Sequence, residues 1–383
     1  MENSTDFIRT TNTTPTAGDL TALRVAEYSL FAIIFIVGVV GNSLVCLVIF
    51  KTPNMRNTRN YLIVNLAIAD ITVALVCIPF DVVIRVYGDT WVLGAAMCKM
   101  VWPSMTFVAT CSAATLAAIS FDRYRAVVHP WKPRLSMRQT LAVIVSTWLV
   151  SFLVVLPYIL VLGMDGHSCT EFWLKDIHRQ LYTVFLFVFA YALPLVIIAF
   201  AYTRVALKLR EQSNRIEKNK LASGIPSSSK YNWSKTVTMT ARDEISADMT
   251  SSPHNGSAKD QCVAKEYRES INDRTTSHTV PLTINPQKEA RRLARSTRIT
   301  KMLVTVVLIY ALCLLPNQVL WLWMEFGTGN EFEHMNTLLT FTGMLVYINS
   351  IVNPFLYAGL NDEFKKGFAR LLCCKGKYLK SIA

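Results

Sequence analysis

Long uninterrupted apolar stretches alternate with shorter polar ones along most of the chain. A buried helix of a soluble all-α protein would carry an amphipathic stripe, whereas "LFAIIFIVGVVGNSLVCLVIF" is apolar on every face. A helix needs roughly 20 apolar residues to cross a bilayer. Seven stretches approach that length, and the pattern predicts an all-α membrane protein, a seven-transmembrane helix bundle, with spans at 27–50, 61–84, 98–121, 139–163, 181–206, 301–324 and 336–359.

Basic residues are concentrated in alternate connections between these spans. The connection after the first span carries Lys51, Arg56 and Arg59, whereas "EFGTGNEFEHMN", between the sixth and the seventh, has three acids and no Lys or Arg. Basic loops stay on the cytoplasmic side of a membrane. We therefore expect an extracellular N-terminus and a cytoplasmic C-terminus. The net charge of +13 then reflects topology, and we expect no nucleic-acid partner.

The segment before the first span is expected to lie outside the cell. It shows no short apolar core with a cleavage site, so we expect the first span to act as a signal anchor. Asn3 in "NST" and Asn12 in "NTT" match the glycosylation pattern. The sequence thus predicts an extracellular glycosylated N-terminus over 1–26 and a transmembrane bundle over 27–359.

Two segments are expected on the cytoplasmic side. Residues 208–298 form a long third loop whose middle is rich in Ser and Thr and predicted to be disordered, with helical extensions of the adjacent spans at its ends. The tail, 360–383, begins with "NDEFKKGFARLL", which predicts a short amphipathic eighth helix on the membrane surface. Cys373 and Cys374 at its end are candidate palmitoylation sites. A plain linker and a plain basic tail are the alternatives.

Two of the nine cysteines fall on the extracellular side. Cys98 begins the third span and Cys169 lies in the loop after the fourth. Disulfides form in that compartment, whereas thiols on the cytoplasmic side stay reduced. We expect Cys98 and Cys169 to be joined, although membrane proteins also keep free thiols.

A carboxylate inside the membrane is a candidate functional group. Asp70 lies in the middle of the second span, where a charge costs at least roughly 2.5–3.5 kcal/mol. Polar side chains of other spans could surround it and form a site for Na⁺ or for a titrating proton; a neutral acid in a structural network is the alternative. The candidate partners are Asn42, Ser112, Asn349, Ser350 and Asn353.

Prolines lie within five different spans, where each removes a backbone hydrogen bond and bends its helix. They provide places at which the inner half of a helix can swing against its outer half. They are Pro79, Pro157, Pro194, Pro316 and Pro354.

These motifs together resemble the rhodopsin-like (class A) G-protein-coupled receptors. The resemblance covers every span and extends to the C-terminal cysteine pair. It rests on motifs that occur in order, one per helix, which makes the set specific although each motif alone is weak. They are "GN" (41–42), "NLAIAD" (65–70), Trp91, Cys98 with Cys169, "DRY" (122–124), Trp148, Pro194 with Tyr202, Pro316 and "NPFLY" (353–357).

The resemblance implies a switch at the cytoplasmic ends of the helices. Arg123 of the "DRY" motif, which ends in Tyr124, is held by Asp122 at rest and turns to the G protein when the sixth helix swings outward. An arginine beside a carboxylate is a paired charge whose partner can be exchanged. Tyr202 and Tyr357 would support the open state, and Asp70 would match the sodium site of the family, with no other cofactor expected.

The sixth helix departs from the family pattern in two places. Leu314 in "CLLP" stands where a tryptophan is usual, which questions the usual aromatic switch and keeps open a receptor that binds without coupling. Where many relatives place an acid facing the "DRY" arginine, this chain has Ser296 and Thr300. A loose resting state with basal activity would follow.

The ligand expectation rests on the resemblance to neuropeptide receptors and on acids at the outer ends of the helices. The aspartate that anchors amines in similar receptors is replaced by Met105. An arginine-containing or amidated peptide would suit the acids; a lipid or other small molecule, and a merely solvated acidic surface, remain alternatives. The expected ligand-binding residues are Phe80, Asp81, Met105, Glu171, Phe187, Asn317, Gln318, Trp321, Glu325 and Tyr347.

Other classes of membrane protein have less support. A transporter would show repeated halves, a channel would show a filter or a charged ring, and an enzyme would show a motif such as HExxH or GxSxG. None can be recognised in this sequence, so we expect no enzyme. The expected protein is a plasma-membrane receptor whose partners are a peptide, a heterotrimeric G protein, membrane lipids, and arrestin and receptor kinases acting at its Ser and Thr residues.

Overall fold

The computed structural model describes residues 17–88, 90–222 and 286–372. This part of the chain contains eight long helices and one two-stranded sheet. The helices before the sheet are α1 (Ala17–Lys51), α2 (Thr58–Thr72, Val73–Cys77 and Ile78–Val86), α3 (Gly94–Val128) and α4 (Met137–Val161). The sheet is β1 (Leu162–Asp165) with β2 (Ser168–Glu171). The later helices are α5 (Asp176–Leu186, Phe187–Ala192 and Leu193–Ala222), α6 (Pro286–Phe326), α7 (Met335–Leu360) and α8 (Asp362–Leu372).

Helices α1 to α7 are long and apolar enough to cross a membrane, and within the described residues they are the seven that meet this condition. The predicted fold class is confirmed. Side chains that face away from the bundle are apolar, as on α4, where Leu141, Leu149, Leu153 and Leu160 are each more than half exposed. Such a surface suits lipid and not water. The chain is a multi-pass membrane protein.

The end of the fourth span was predicted wrongly. α4 ends at Val161, and residues 162–163 of the predicted span begin β1. The strands pair antiparallel from Leu162 with Glu171 to Asp165 with Ser168, around a turn at Gly166, whose φ is +56°. Hydropathy cannot separate a short apolar strand from the end of a helix. "DGHS" was the available turn signal, because a glycine at positive φ favours a two-residue hairpin.

The hairpin is tied to the bundle beside α3. The expected disulfide between Cys98 and Cys169 is present, with the two Cα atoms 5.6 Å apart. Trp91 donates its backbone N–H to the carbonyl of His167 (2.9 Å) and is buried with Cys98 and Leu162. We call this end of the bundle the hairpin end, and the opposite end, where α3 carries Arg123, the Arg123 end.

Two prolines follow distortions of their helices. The π-helical segments Val73–Cys77 and Phe187–Ala192 each end two residues before a proline, Pro79 and Pro194 respectively. Proline has no N–H for the carbonyl one turn earlier, and a π segment is a common way to accommodate the loss. Pro157, Pro316 and Pro354 lie inside α4, α6 and α7 as expected, and α3 contains a further one, Pro103.

The eighth helix is present as α8. Phe364 and Phe368 are buried and join the core at the Arg123 end, where Phe364 stacks on Tyr357 with ring centroids 5.3 Å apart. A Cβ added at Gly367 would lie 2.4 Å from Cγ1 of Val48, so α8 packs directly on α1. Part of the apolar face that was predicted to meet the membrane therefore meets the protein.

By its contacts the chain divides into two units, Met1–Glu211 with Ala294–Ala383, and Gln212–Leu293. The boundaries predicted for the third loop, 208 and 298, fall inside α5 and α6, because both helices continue into that segment. The middle of the loop lies outside the described residues. The predicted glycosylation sites Asn3 and Asn12 and the predicted palmitoylation sites Cys373 and Cys374 lie outside them as well.

Candidate functional site

A cavity of about 30 Å³ lies between α2, α3, α6 and α7. It has room for a water molecule or a small cation, since about 10–15 Å³ suffices for one water. Its lining combines residues that the sequence assigned to three different roles: a cation site, a ligand pocket and a switch. They are Asp70, Ser112, Asn349 and Ser350 from the first, Met105 and Tyr347 from the second and Leu314 from the third.

Asp70 is the only carboxylate that lines this cavity among the described residues, and its side chain is buried. Asn353 donates an amide hydrogen to its Oδ2 (2.8 Å). Asn42 donates to the carbonyls of Gly38 and Ser350, both at 3.0 Å, which leaves its own Oδ1 buried without a hydrogen-bond partner in the described structure. Carboxylate, hydroxyl and amide oxygens are ligands for a hard cation. The residues present therefore fit a bound Na⁺.

At the hairpin end, an arginine connects three helices. Arg85 on α2 forms ion pairs with Glu27 on α1 (3.3 Å) and with Asp81 one turn earlier (3.2 Å), and it donates to Thr340 on α7 (2.6 Å). Tyr347 donates its hydroxyl to Asp81 (3.2 Å) and lies 3.6 Å from the sulfur of Met105 on α3. Three predicted ligand residues, Asp81, Met105 and Tyr347, are thus brought together.

The expected outer acids differ in their partners. Asp81 already has a cation in Arg85, and Glu325 forms a 3.1 Å ion pair with Arg179, which joins α6 to α5. Both acids are therefore paired with an arginine of the protein itself, and their contact with a ligand stays a prediction. Glu171, on β2, accepts a hydrogen bond from the indole of Trp173 (2.5 Å) and has no Lys or Arg within 4.0 Å among the described residues.

The remaining predicted ligand residues are spread over the same half of the bundle. Phe80 packs against the disulfide cluster, and Phe187 lies 5.8 Å from the ring of Tyr191. Asn317 accepts a long hydrogen bond from Thr342 of α7 (3.5 Å). Gln318 is half-buried, whereas Trp321 is 47% exposed. The cavity does not include these residues, and their contact with a ligand stays a prediction.

Below Leu314, two tyrosines join α5 to α6. Tyr191 donates its hydroxyl to the carbonyl of Ala311 (3.0 Å), and Tyr310 donates to the carbonyl of Ala190 (3.4 Å). The carbonyl of Ala190 lies in the π-helical segment Phe187–Ala192, four residues before Pro194. Leu314 itself is buried against this region.

At the Arg123 end, the guanidinium of Arg123 is buried without a partner. Its Nε and Nη2 make no hydrogen bond within the described residues, and none of their carboxylates lies within 4.0 Å of it. The resting ion pair expected with Asp122 is not formed in this structure.

The polar groups near this arginine are also incompletely paired. Tyr202 is buried, and the hydroxyl of Tyr357 and Oγ1 of Thr300 are buried without hydrogen bonds among the described residues. Tyr124 of the "DRY" motif turns away and pairs with His129 at 3.2 Å. Buried polar atoms are rarely left unpaired, so these groups stand out among the described residues.

Two ion pairs connect α6 to α8 at the same end. Arg295 and Arg298, one turn apart on α6, donate to Glu363 and Asp362 at the start of α8. All four side chains are substantially exposed. Sequence reasoning missed this contact, and it missed Arg85 and Arg179 because it treated the outer acids without looking for internal cations. An (i, i+4) spacing of Asp81 and Arg85 was the one readable signal.

Family comparison agrees with this arrangement. Residues 41–357 match the family model described as 7 transmembrane receptor (rhodopsin family). The chain belongs to that family.

Two curated receptors are similar to this chain over most of its length. The chain is 27% identical to a RYamide receptor of Drosophila melanogaster over 363 residues, 91% of this chain and 63% of that receptor. It is 27% identical to a RYamide receptor of Tribolium castaneum over 364 residues, 91% of this chain and 80% of that one. The chain thus spans less than two thirds of the length of the Drosophila relative.

Proposed function

We propose that this protein is a plasma-membrane receptor that an amidated neuropeptide of the RYamide type activates and that signals through a heterotrimeric G protein. Membership of the rhodopsin family supports the coupling, and the names of two relatives support the peptide class. One observation supports the coupling: within the part of the chain that the structure describes, the buried guanidinium of Arg123 has donors without acceptors. Leaving buried donors unpaired costs about 1–3 kcal/mol, so a partner that supplies acceptors is favoured.

The orientation follows from charge. The connections rich in Lys and Arg lie at the Arg123 end, and such loops remain in the cytoplasm. The hairpin end then faces the extracellular ligand, the N-terminus is extracellular and the C-terminus is cytoplasmic. Arrestin and receptor kinases would meet the receptor on the cytoplasmic side, where the segment between α5 and α6 is rich in Ser and Thr.

Signalling in this proposal is an exchange of partners for Arg123. The ligand favours a bundle in which α6 moves outward at the cytoplasmic end. This movement separates Arg295 and Arg298 of α6 from the acids of α8 and opens a path from Arg123 to the G protein. Tyr202 and Tyr357 then supply polar contacts for the opened state. A ligand shifts this equilibrium only by its difference in affinity for the two arrangements.

Activation in cells tests the function. Cells that express the chain are exposed to synthetic peptides ending in Arg-Tyr-amide, with the same peptides as free acids and a panel of amines and lipids as controls. G-protein dissociation and binding of a labelled peptide are recorded together. We expect a saturable response to the amidated peptides, which Arg123→Ala abolishes while binding remains.

The other outcomes separate the alternatives. Binding without a G-protein signal in the unmodified receptor would indicate a non-coupling receptor, for which Leu314 in place of tryptophan is the candidate cause. A response to a lipid or an amine alone would refute the peptide ligand. A response that Arg123→Ala leaves unchanged would refute the assigned role of this arginine.

We also propose that Na⁺ binds beside Asp70 and favours the resting bundle. The proposal is supported by the buried carboxylate, the hydroxyl of Ser112, the side-chain oxygen of Asn349 and the unpaired Oδ1 of Asn42. The cation would compensate a charge that the membrane interior disfavours. No other cofactor is proposed.

A further inference from the structure

We infer that Glu171, together with the rings of Trp173 and Tyr182, forms the subsite for a cationic group of the ligand, and that this group is a guanidinium. The inference rests on the proposed peptide ligand and assigns its cationic group to Glu171. It begins from the charges at the hairpin end, where the buried or half-buried acids are not equivalent.

Three of these acids are neutralised within the protein. Asp81 and Glu27 share Arg85, and Glu325, whose side chain is only 10% exposed, is paired with Arg179. A ligand cation could reach them only by displacing an arginine that is already in place. Glu331 and Glu333 are exposed to solvent, where an ion pair contributes little.

Glu171 has the opposite properties. It is half-buried and has no basic side chain within 4.0 Å in the described part of the chain. Its single hydrogen bond among those residues is the 2.5 Å contact of Oε2 with the indole N–H of Trp173. Oε1 has no such partner, and it is not among the buried unpaired atoms, so it is accessible.

A cluster of aromatic rings begins at this carboxylate, where Trp173 meets it through the indole N–H. The rings of Trp173 and Tyr182 have centroids 5.3 Å apart, and Tyr182 stacks on Tyr158 of α4 at 6.3 Å. The hydroxyl of Tyr182 donates to the carbonyl of Val154 (3.1 Å), which fixes the ring in place.

A carboxylate beside electron-rich ring faces selects a particular cation. Ring faces attract cations, arginine more often than lysine. A guanidinium is planar, stacks on aromatic faces and is more weakly hydrated than an ammonium, so it loses less on entering a half-buried site. It can donate to Oε1 while lying against a ring. Trp173, whose indole N–H only donates, acts as a positioning residue by holding Oε2.

The first experiment pairs a ligand change with a receptor change. The probes are a peptide ending in Arg-Tyr-amide and the same peptide with citrulline, the neutral isostere, in place of arginine. Glu171→Gln keeps the size of the side chain and removes its charge. We expect citrulline, and separately Glu171→Gln, to weaken peptide binding by about 10-fold to 100-fold, the range for a charge-assisted hydrogen bond.

Combining both changes tests whether Glu171 contacts the guanidinium of the peptide directly. If Glu171 meets the guanidinium, citrulline weakens binding to Glu171→Gln little further, because the interaction is already lost. Glu325→Gln is the matched control, and there the two losses should add. Additive losses at Glu171 with non-additive losses at Glu325 would overturn the assignment.

The second experiment does not depend on the peptide. Purified receptor in lipid nanodiscs is titrated with N-acetyl-arginine amide, and with N-acetyl-citrulline amide as the uncharged control, and binding is followed by saturation-transfer NMR. We expect signal for the arginine probe only, lost in Glu171→Gln and retained in Glu325→Gln. Signal unchanged in Glu171→Gln would refute the subsite, even if the peptide activates the receptor.

The two experiments separate the two proposals. Arginine-probe binding that depends on Glu171, in a receptor that RYamide-type peptides do not activate, would refute the ligand class and keep the cation subsite.

Trp173→Phe keeps a ring and removes the N–H, so we expect it to weaken arginine-probe binding less than Glu171→Gln. Equal thermal stability of the variants shows that each has folded.

Discussion

Arg85 shows how a single residue joins helices that are distant in sequence. It contacts Glu27 of α1, Asp81 of its own helix and Thr340 of α7, and its guanidinium carbon lies 5.6 Å from the centre of the Phe31 ring. The side chains of Arg85 and Asp81 are 21% and 10% exposed. Breaking a pair that is mostly out of water leaves a charge without compensation, which is more damaging than losing a surface pair.

We predict that Arg85→Gln lowers the free energy of unfolding by about 1–3 kcal/mol, because it leaves two carboxylates together without their cation. Thermal unfolding of the purified receptor in detergent measures the loss. Arg179→Gln is the matched control and should have a smaller effect, since Arg179 is 44% exposed and solvent weakens its pair. Adding Asp81→Asn to Arg85→Gln should restore part of the stability, and a further loss would contradict the network.

At this scale the sequence predicts which residues are unusual better than it predicts their partners. Asp70, Asp81, Glu171 and Glu325 are visible because charge is rare in apolar surroundings. Their partners are decided by which helices are neighbours, which hydropathy does not specify. Thus the pairing of Asp70 with Asn353 was among the expected partners, whereas that of Glu325 with Arg179 was not.

Among the elements, α5 and α6 are joined by two tyrosine hydroxyls directly below the leucine that replaces the usual tryptophan. The contacts are reciprocal, since each helix donates one hydroxyl to a backbone carbonyl of the other. The sequence predicted the positions of Pro194 and Leu314 but not these two hydrogen bonds, because a tyrosine within an apolar span is ordinarily interpreted as a residue that packs in the core. The π segment that rotates Tyr191 has no readable signal beyond the proline that follows it.

We predict that Tyr191→Phe destabilises the receptor by about 0.5–1.5 kcal/mol, the usual net value of a hydrogen bond. Tyr310→Phe should have the smaller effect, because its hydrogen bond is 3.4 Å long against 3.0 Å and weakens with distance. Both changes keep the ring, so thermal unfolding reports the hydroxyl alone. The reverse order of the two losses would refute the assigned donors.

The charges between α6 and α8 give a prediction about basal signalling. Each exposed pair contributes about 0.2–1 kcal/mol, so Arg295→Gln with Arg298→Gln, which removes both pairs, should raise ligand-independent G-protein activation by about 2-fold to 30-fold. Exchanging the two charges of one pair, with Arg298→Glu and Asp362→Arg in the same receptor, keeps an ion pair at this place. Its basal signal should therefore be lower than that of the double glutamine variant. Lys301→Gln is a control that leaves both pairs intact. Unchanged basal activity in the double variant would show that these pairs do not restrain α6.

For the whole molecule, the number and order of the membrane helices could be predicted from hydropathy because lipid requires continuous apolar helices. The hairpin could not, since its strands are four residues long and one continues an apolar span. The disulfide was predicted correctly from the positions of its two cysteines, whereas the roles of Asp70 and Arg123 stay predictions. The contacts that these residues make depend on the arrangement of several helices at once. One example is the absence of an Asp122–Arg123 ion pair in the described structure.

The final prediction concerns the coupling between the two ends of the bundle. If Na⁺ binds beside Asp70 in the resting bundle only, it stabilises that bundle. Linkage then requires Na⁺ to lower the affinity for the peptide by the same factor by which the peptide lowers the affinity for Na⁺. Replacing choline chloride by sodium chloride at about 100 mM should raise the unfolding temperature by about 2 °C and lower the affinity for the Arg-Tyr-amide peptide. Asp70→Asn should abolish both effects, whereas Ser104→Ala, outside the cavity lining, should keep them. A sodium effect on peptide affinity that survives Asp70→Asn would place the ion elsewhere, and thermal stabilisation without loss of affinity would separate the cation from the switch.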